Sequence, residues 1–208
     1  MPVKRIILTD TDSGEILNAG RVDASSGVSL AGSADWSISK RTLTGGPSDG
    51  VDVVDLNNGE LSMSILPTRG MGLWKGSYHG IPLGWNSPVA RPVHPRLVNL
   101  EARGGLGWLG GFNELMCRCG LSFNGPPGID KVTDENGNVT ESEITLHGKI
   151  ANIPANHVAV EISNEGPGTL SVTGVVEETM MFAPALRLTS TVLSEAGSNG
   201  ITIKDVVT

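Results

Sequence analysis

An antiparallel β-sandwich, all-β in class, is the fold this sequence predicts, and three observations predict it. Short runs alternate apolar and polar residues with the period of a half-buried strand. Turn-forming residues part those runs at short intervals, and no helical pattern is long enough to build a layer.

The strands follow in order from about residue 50. Val51 and Val53 lead to Asn57, Asn58 and Gly59, and the returning run Leu61, Met63, Ile65 alternates with Glu60, Ser62 and Ser64, which makes a hairpin. A second hairpin joins Lys131–Thr133 to Val139–Thr140 around Asn136 and Gly137, a pair suited to a turn with positive φ. Further strands run through Val158, Val160 and Ile162, then Leu170 and Val172, then Leu186, Leu188 and Val192, and last Ile201 and Ile203. Asn164–Gly168 and Gly197–Gly200 punctuate them. Val175–Met180 reads as an edge strand with Glu177 and Glu178 turned outward. Arg96–Ala102 and Phe112–Met116 are the helical candidates, each too short to form a layer, so a doubly wound α/β sheet is excluded. One domain over residues 1–208 is expected, with 1–49 giving the fewest signals. Ile201–Thr208 stops inside a strand-like run, which reads as a sandwich truncated at its C-terminal end.

Composition narrows the function. Charged residues make up 18%, and the 28 Gly and 12 Pro are scattered rather than gathered, which argues against disorder. A net charge of -7, a pI near 5.0 and the lack of a basic stripe exclude a nucleic-acid partner. The opening Met1–Leu8 holds only the apolar run Ile6–Leu8, short of a signal core, and no stretch approaches a membrane span; a cytoplasmic protein with no membrane partner is expected. Cys117 and Cys119 lie one residue apart, on one face of an extended run, where a mutual disulfide is strained. His79, His94, His147 and His157 show none of the paired spacings of zinc sites, so no metal is expected.

Residues 67–128 differ in kind. Alternation is lost, glycines are frequent, and the block holds Trp74, Trp85, Trp108 and the lone Tyr78. Irregular segments on a rigid scaffold are where binding sites sit, and indole faces stack on pyranose rings. Gly105, Gly107 and Gly110 spell a dinucleotide fingerprint, but no strand and helix flank it, and a nucleotide cofactor is rejected. Asn138-Val139-Thr140 spells a glycosylation sequon that turn chemistry explains better. His147, followed by Gly148 at a strand end, is left open to a ligand's hydroxyls, and histidine is the usual proton carrier near neutral pH. Arg69, flanked by Gly70, can present several donors to a polar ligand.

The runs Asn58-Gly59, Ile65–Gly72 and Gly80–Trp85, with the triplet Leu146-His147-Gly148, resemble the galactose mutarotase-like superfamily. Leu66–Gly72, Asn113–Leu121 and Leu146–Ala155 together look like its bacterial DUF4432 branch, related to the aldose 1-epimerases, over roughly residues 50 to 208. The resemblance implies an antiparallel supersandwich with a sugar cleft and cofactor-free acid-base chemistry at the anomeric centre. There a carboxylate takes the anomeric hydroxyl proton while a histidine protonates the ring oxygen. Carried over by motif, His147 is the catalytic candidate and Arg69 a substrate-binding one; Trp85, Trp108 and Asn113 are further substrate-binding candidates, with His79 behind them. The family's second histidine and its glutamate base match no position here and are expected beyond Thr208; Glu178 is not taken for that base.

The expected partner is a small-molecule sugar, with self-association through an open sheet edge as a further expectation. The alternative is a non-catalytic sugar sensor lacking the acid-base pair. A sugar-free interaction domain would place Arg69 and His147 on opposite faces.

Overall fold

The computed structural model describes residues 4–208; Met1 to Val3, part of the stretch read for a signal core, lie outside the described residues. Fourteen strands form in chain order: β1 (Lys4–Asp10), β2 (Glu15–Ile16), β3 (Gly20–Asp23), β4 (Ser37–Thr42), β5 (Asp52–Asn57), β6 (Leu61–Leu66) and β7 (Gly72–Tyr78). They continue with β8 (Ile81–Leu83), β9 (Gly128–Thr133), β10 (Val139–Ile144), β11 (His157–Ser163), β12 (Thr169–Glu178), β13 (Leu186–Glu195) and β14 (Thr202–Val207).

Two six-stranded antiparallel sheets result, ordered β3-β4-β5-β6-β7-β8 and β14-β13-β12-β11-β1-β2, with β9 and β10 as a separate hairpin. The alternation read from the sequence decides which side chains meet between the sheets. Leu61, Met63 and Ile65 of β6 turn inward and are buried, as are Val158, Val160 and Ile162 of β11 and Leu170, Val172 and Val176 of β12. The all-β antiparallel sandwich is the observed architecture.

Several local expectations are corrected. Gly72–Tyr78, inside the block read as irregular, is a full strand paired with β6; its glycines and Trp74 hide the alternation. Residues 112–116 form no helix, and Arg96–Ala102 is broken into a 3-10 turn at Pro95–Leu97 and a single helical turn starting at Ala102, interrupted by left-handed backbone at Arg103 and Gly104. Glu178 does not lie on an edge strand facing outward: β12 is flanked by β11 and β13, and Glu178 shares the inward parity of Val176 and bonds the loops.

Lys40 ties the sheets together. It takes an inward position on β4, and its Nζ donates to Leu8 O (3.2 Å) and Thr9 Oγ1 (2.9 Å) on β1 of the opposite sheet, with Asp52 Oδ2 at 2.9 Å. A buried ammonium is tolerated here because each donor has an acceptor.

Candidate functional site

Arg69 ends the 3-10 turn Pro67–Arg69 that joins β6 to β7, and Gly70 (φ 60) and Met71 (φ 65) then reverse the chain. Its side chain is buried. Nε donates to Glu114 Oε1 (2.8 Å), and Nη1 donates to Asn152 Oδ1 (2.7 Å) and Val93 O (3.3 Å). Gly111 packs against the guanidinium so closely that a Cβ there would sit 2.8 Å from Nη1, which only glycine avoids. Glu114 is equally buried and also accepts from the Asn113 N–H (2.9 Å). One buried charge of each sign leaves this centre neutral.

A band of rings runs past it. Trp85 packs on Phe112 (centroids 5.1 Å), Phe112 stacks on Trp108 (4.8 Å), and Trp108 meets His147 edge-on (5.1 Å). Trp85 Nε1 donates to Glu114 O, tying the band to the ion pair.

His147 holds an uncommon backbone conformation, φ 56, followed by Gly148 at φ 73. A Cβ at Gly148 would lie 2.4 Å from both Gly120 O and Phe123 O, so the tight turn requires glycine. The His147 N–H donates to Gly125 O and its carbonyl accepts from the Gly120 N–H, each at 2.9 Å. Nδ1 lies 3.1 Å from Asn124 Oδ1; donation there places the proton on Nδ1 and leaves Nε2 a lone pair to present.

The most telling feature is what these residues do not satisfy. Among the described residues, seven buried side-chain polar atoms have no partner, and five of them belong to this cluster: Arg69 Nη2, Trp108 Nε1, Asn152 Nδ2 and both amide atoms of Asn113. Buried polar groups are almost always paired, so orphans gathered in one place point to a missing ligand or water. A cleft of ≈ 170 Å³ opens onto Asn113 and Trp85, small beside the roughly 300–1,000 Å³ of drug-sized sites. Of the residues with orphaned atoms, Asn113 alone lines this cleft, and a slightly larger hollow of ≈ 210 Å³ between the base of the β9–β10 hairpin and Glu101 is lined by none of them.

Five of the six residues singled out from the sequence therefore meet in one loop cluster: Arg69, Trp85, Trp108, Asn113 and His147. Arg69 and His147 do not lie on opposite faces, since Asn152, three residues beyond Lys149 of the His147 turn, bonds the guanidinium. His79 stands apart. It sits at the far end of the β6–β7 hairpin, exposed, with Nε2 2.8 Å from Glu60 Oε2. Sequence reasoning missed Asn152, Glu114, Phe112 and Asn124. Glu114 had a signal, being a lone acid in the run Phe112–Met116 that a buried cation had to match.

His94 is held below the usual histidine range, first by burial and then by Arg96, against an opposing pull from Asp49; its Nδ1 accepts from the Arg96 N–H. Among the described residues no group of three or more His, Cys, Asp and Glu is placed to hold a metal ion, and no helix is long and apolar enough to cross a membrane.

The sandwich topology, the match to a family model and the likeness to a solved structure together place the chain in the galactose mutarotase-like superfamily. The chain belongs to the DUF4432 family, whose model, described as a domain of unknown function, matches residues 48–208. It is similar to a solved structure from Klebsiella pneumoniae subsp. pneumoniae described as a putative aldose 1-epimerase. The two share 33% identity with a TM-score of 0.85 over 98% of this chain and 50% of that one, so this chain spans half the length of that relative. No curated protein matches.

Proposed function

We propose that this chain provides a sugar-binding cleft of an aldose 1-epimerase-like protein, acting at the anomeric centre of a monosaccharide. The observation that carries the reading is the convergence of five orphaned buried polar atoms beside a four-ring aromatic band. A pyranose offers what that arrangement lacks: hydroxyl and ring oxygens for Arg69 Nη2, Asn152 Nδ2, Trp108 Nε1 and Asn113, and an apolar face for an indole. His147 Nε2, its tautomer held through Nδ1 by Asn124, accepts a sugar hydroxyl proton or, once protonated, donates to a ring oxygen. Ring opening needs both an acid and a base. With one proton leaving the anomeric hydroxyl and one reaching the ring oxygen, the open aldehyde turns and recloses as the other anomer.

A second reading, a sugar-binding module without catalysis, is favoured by one observation. The two carboxylates tied to these loops are engaged, Glu114 by Arg69 and Glu178 by the Leu121 N–H (2.9 Å) and the Ser122 hydroxyl (2.5 Å). Neither is free to serve as the base.

Proton NMR with a panel of aldoses separates the readings. Anomer exchange accelerated by the chain and lost in His147→Ala supports catalysis. Saturation transfer without exchange selects the binding module, and neither signal overturns both.

A further inference from the structure

We propose that Cys117 and Cys119 are an oxidisable dithiol, a modification site that a glutathione-type disulfide closes, loosening the segment on which the Arg69 and His147 loops rest. Both thiols are free, Cys119 exposed and Cys117 half-buried, and their Sγ atoms stand 4.0 Å apart. Arg118, between them, is anchored away from the pair: Nε donates to Met71 O (3.3 Å), Nη2 to Ser190 Oγ (2.5 Å) and Nη1 to Asp205 Oδ2 (2.5 Å). A buried guanidinium with each of its three nitrogens bonded therefore fixes the run in the register that keeps the thiols together.

The chemistry balances without a metal or second protein. The Cys119 thiolate attacks one sulfur of glutathione disulfide, breaking its S–S bond and releasing one glutathione thiolate. The Cys117 thiol then loses its proton and attacks the Cys119 sulfur, forming the intrachain bond and releasing the second glutathione. Two protein thiols are oxidised and one glutathione disulfide is reduced. Exposure assigns the first attack to Cys119; burial, reinforced by Cys119, pushes the Cys117 thiol up to about 12, and capping Cys119 removes the second of those causes before Cys117 must lose its proton.

The consequence lies at the ends of the run. A disulfide bond is about 2.05 Å long, so the sulfurs must draw roughly 2 Å closer while Arg118 is held. Turning the two Cys side chains can bring the sulfurs together, but the bond between residues one apart is the strained one that their spacing predicts, and its strain falls on the backbone on either side. On one side is Glu114, the partner of Arg69; on the other is Gly120, whose N–H holds His147 O and whose O accepts from the N–H groups of Lys149 and Ile150, each at 3.0 Å.

The test exposes the chain to glutathione buffers of rising disulfide fraction and reads intact mass and amide hydrogen exchange. Wild type should lose the mass of two hydrogens, and Cys117→Ser should instead trap one glutathione on Cys119. Exchange at the Gly120 and Ile150 amides should rise about tenfold on oxidation. A wild-type product that keeps glutathione, no reaction at all, or an intrachain bond with unchanged exchange at those amides would each overturn the proposal. An accompanying fall of about tenfold in sugar affinity rests on the sugar-cleft reading; exchange that rises in a chain that binds no sugar sinks that reading and leaves the dithiol standing.

Discussion

The two ends of β6 hold buried polar side chains that differ in one respect. At one end Asn58, fully buried, has every polar group occupied. Its Nδ2 donates to Ser194 Oγ (2.7 Å), Glu195 O (3.0 Å) and Ser198 O (2.9 Å), and its Oδ1 accepts from the N–H groups of Glu60 and Leu61. It clasps the β5–β6 turn to β13 in the opposite sheet. At the other end Arg69, Asn113, Asn152 and Trp108 bury polar atoms that nothing meets. Satisfied buried groups are structural, whereas orphaned ones hold a desolvation cost that a ligand can relieve.

Substitutions can break that contrast. The largest effect is expected from Arg69→Met, which leaves Glu114 buried and unpaired and should lower stability by about 3–5 kcal/mol in urea denaturation. A loss under about 1 kcal/mol would show that the pair is not buried as described. Asn58→Ala should cost roughly 2–3 kcal/mol, because the buried Leu61 amide and the part-buried Glu60 amide lose their acceptor, while sugar affinity stays unchanged. Asn113→Ala reverses the pattern. Its side chain makes no hydrogen bond, so stability should hold within about 1 kcal/mol or rise, while sugar affinity falls about tenfold. If calorimetry found both quantities unaffected, the orphaned atoms would have no ligand.

The smallest effect is pH-dependent and belongs to the arginine end, where His94 adjoins Val93, an acceptor for Arg69. Its folded pKa is depressed below the ordinary histidine value, so the unfolded chain takes up the proton first. The stability it contributes is present above the unfolded value and is lost as pH falls through the folded one. Urea midpoints compared above and below that window should drop more in wild type than in His94→Asn, which retains a capping oxygen.

How much of this was legible follows from range. Strands whose inward residues alternate, such as Leu61, Met63 and Ile65, announce themselves because a strand's pattern is local. β7 was hidden because Gly72, Trp74 and Gly76 interrupt its pattern. The placement of β1 beside β11 was not readable at all, since nothing local records a partner so distant. In the cluster, Arg69 and His147 carried local signals through their glycines, while Asn152 and Asn124 matter only for what they touch across the fold.

Strand order also sets a timetable. The β3-to-β8 sheet is an unbroken meander, each strand pairing with its sequence neighbour, so its loops close cheaply and early. The other sheet has to insert β1 between β2 and β11, with Lys4 opposite Ile162, and the Lys40 bridge to Leu8 and Thr9 forms only then. That topology predicts that β1 docks after the meander has formed, an order that pulse-labelled hydrogen exchange at β1 against β5 and β6 would check.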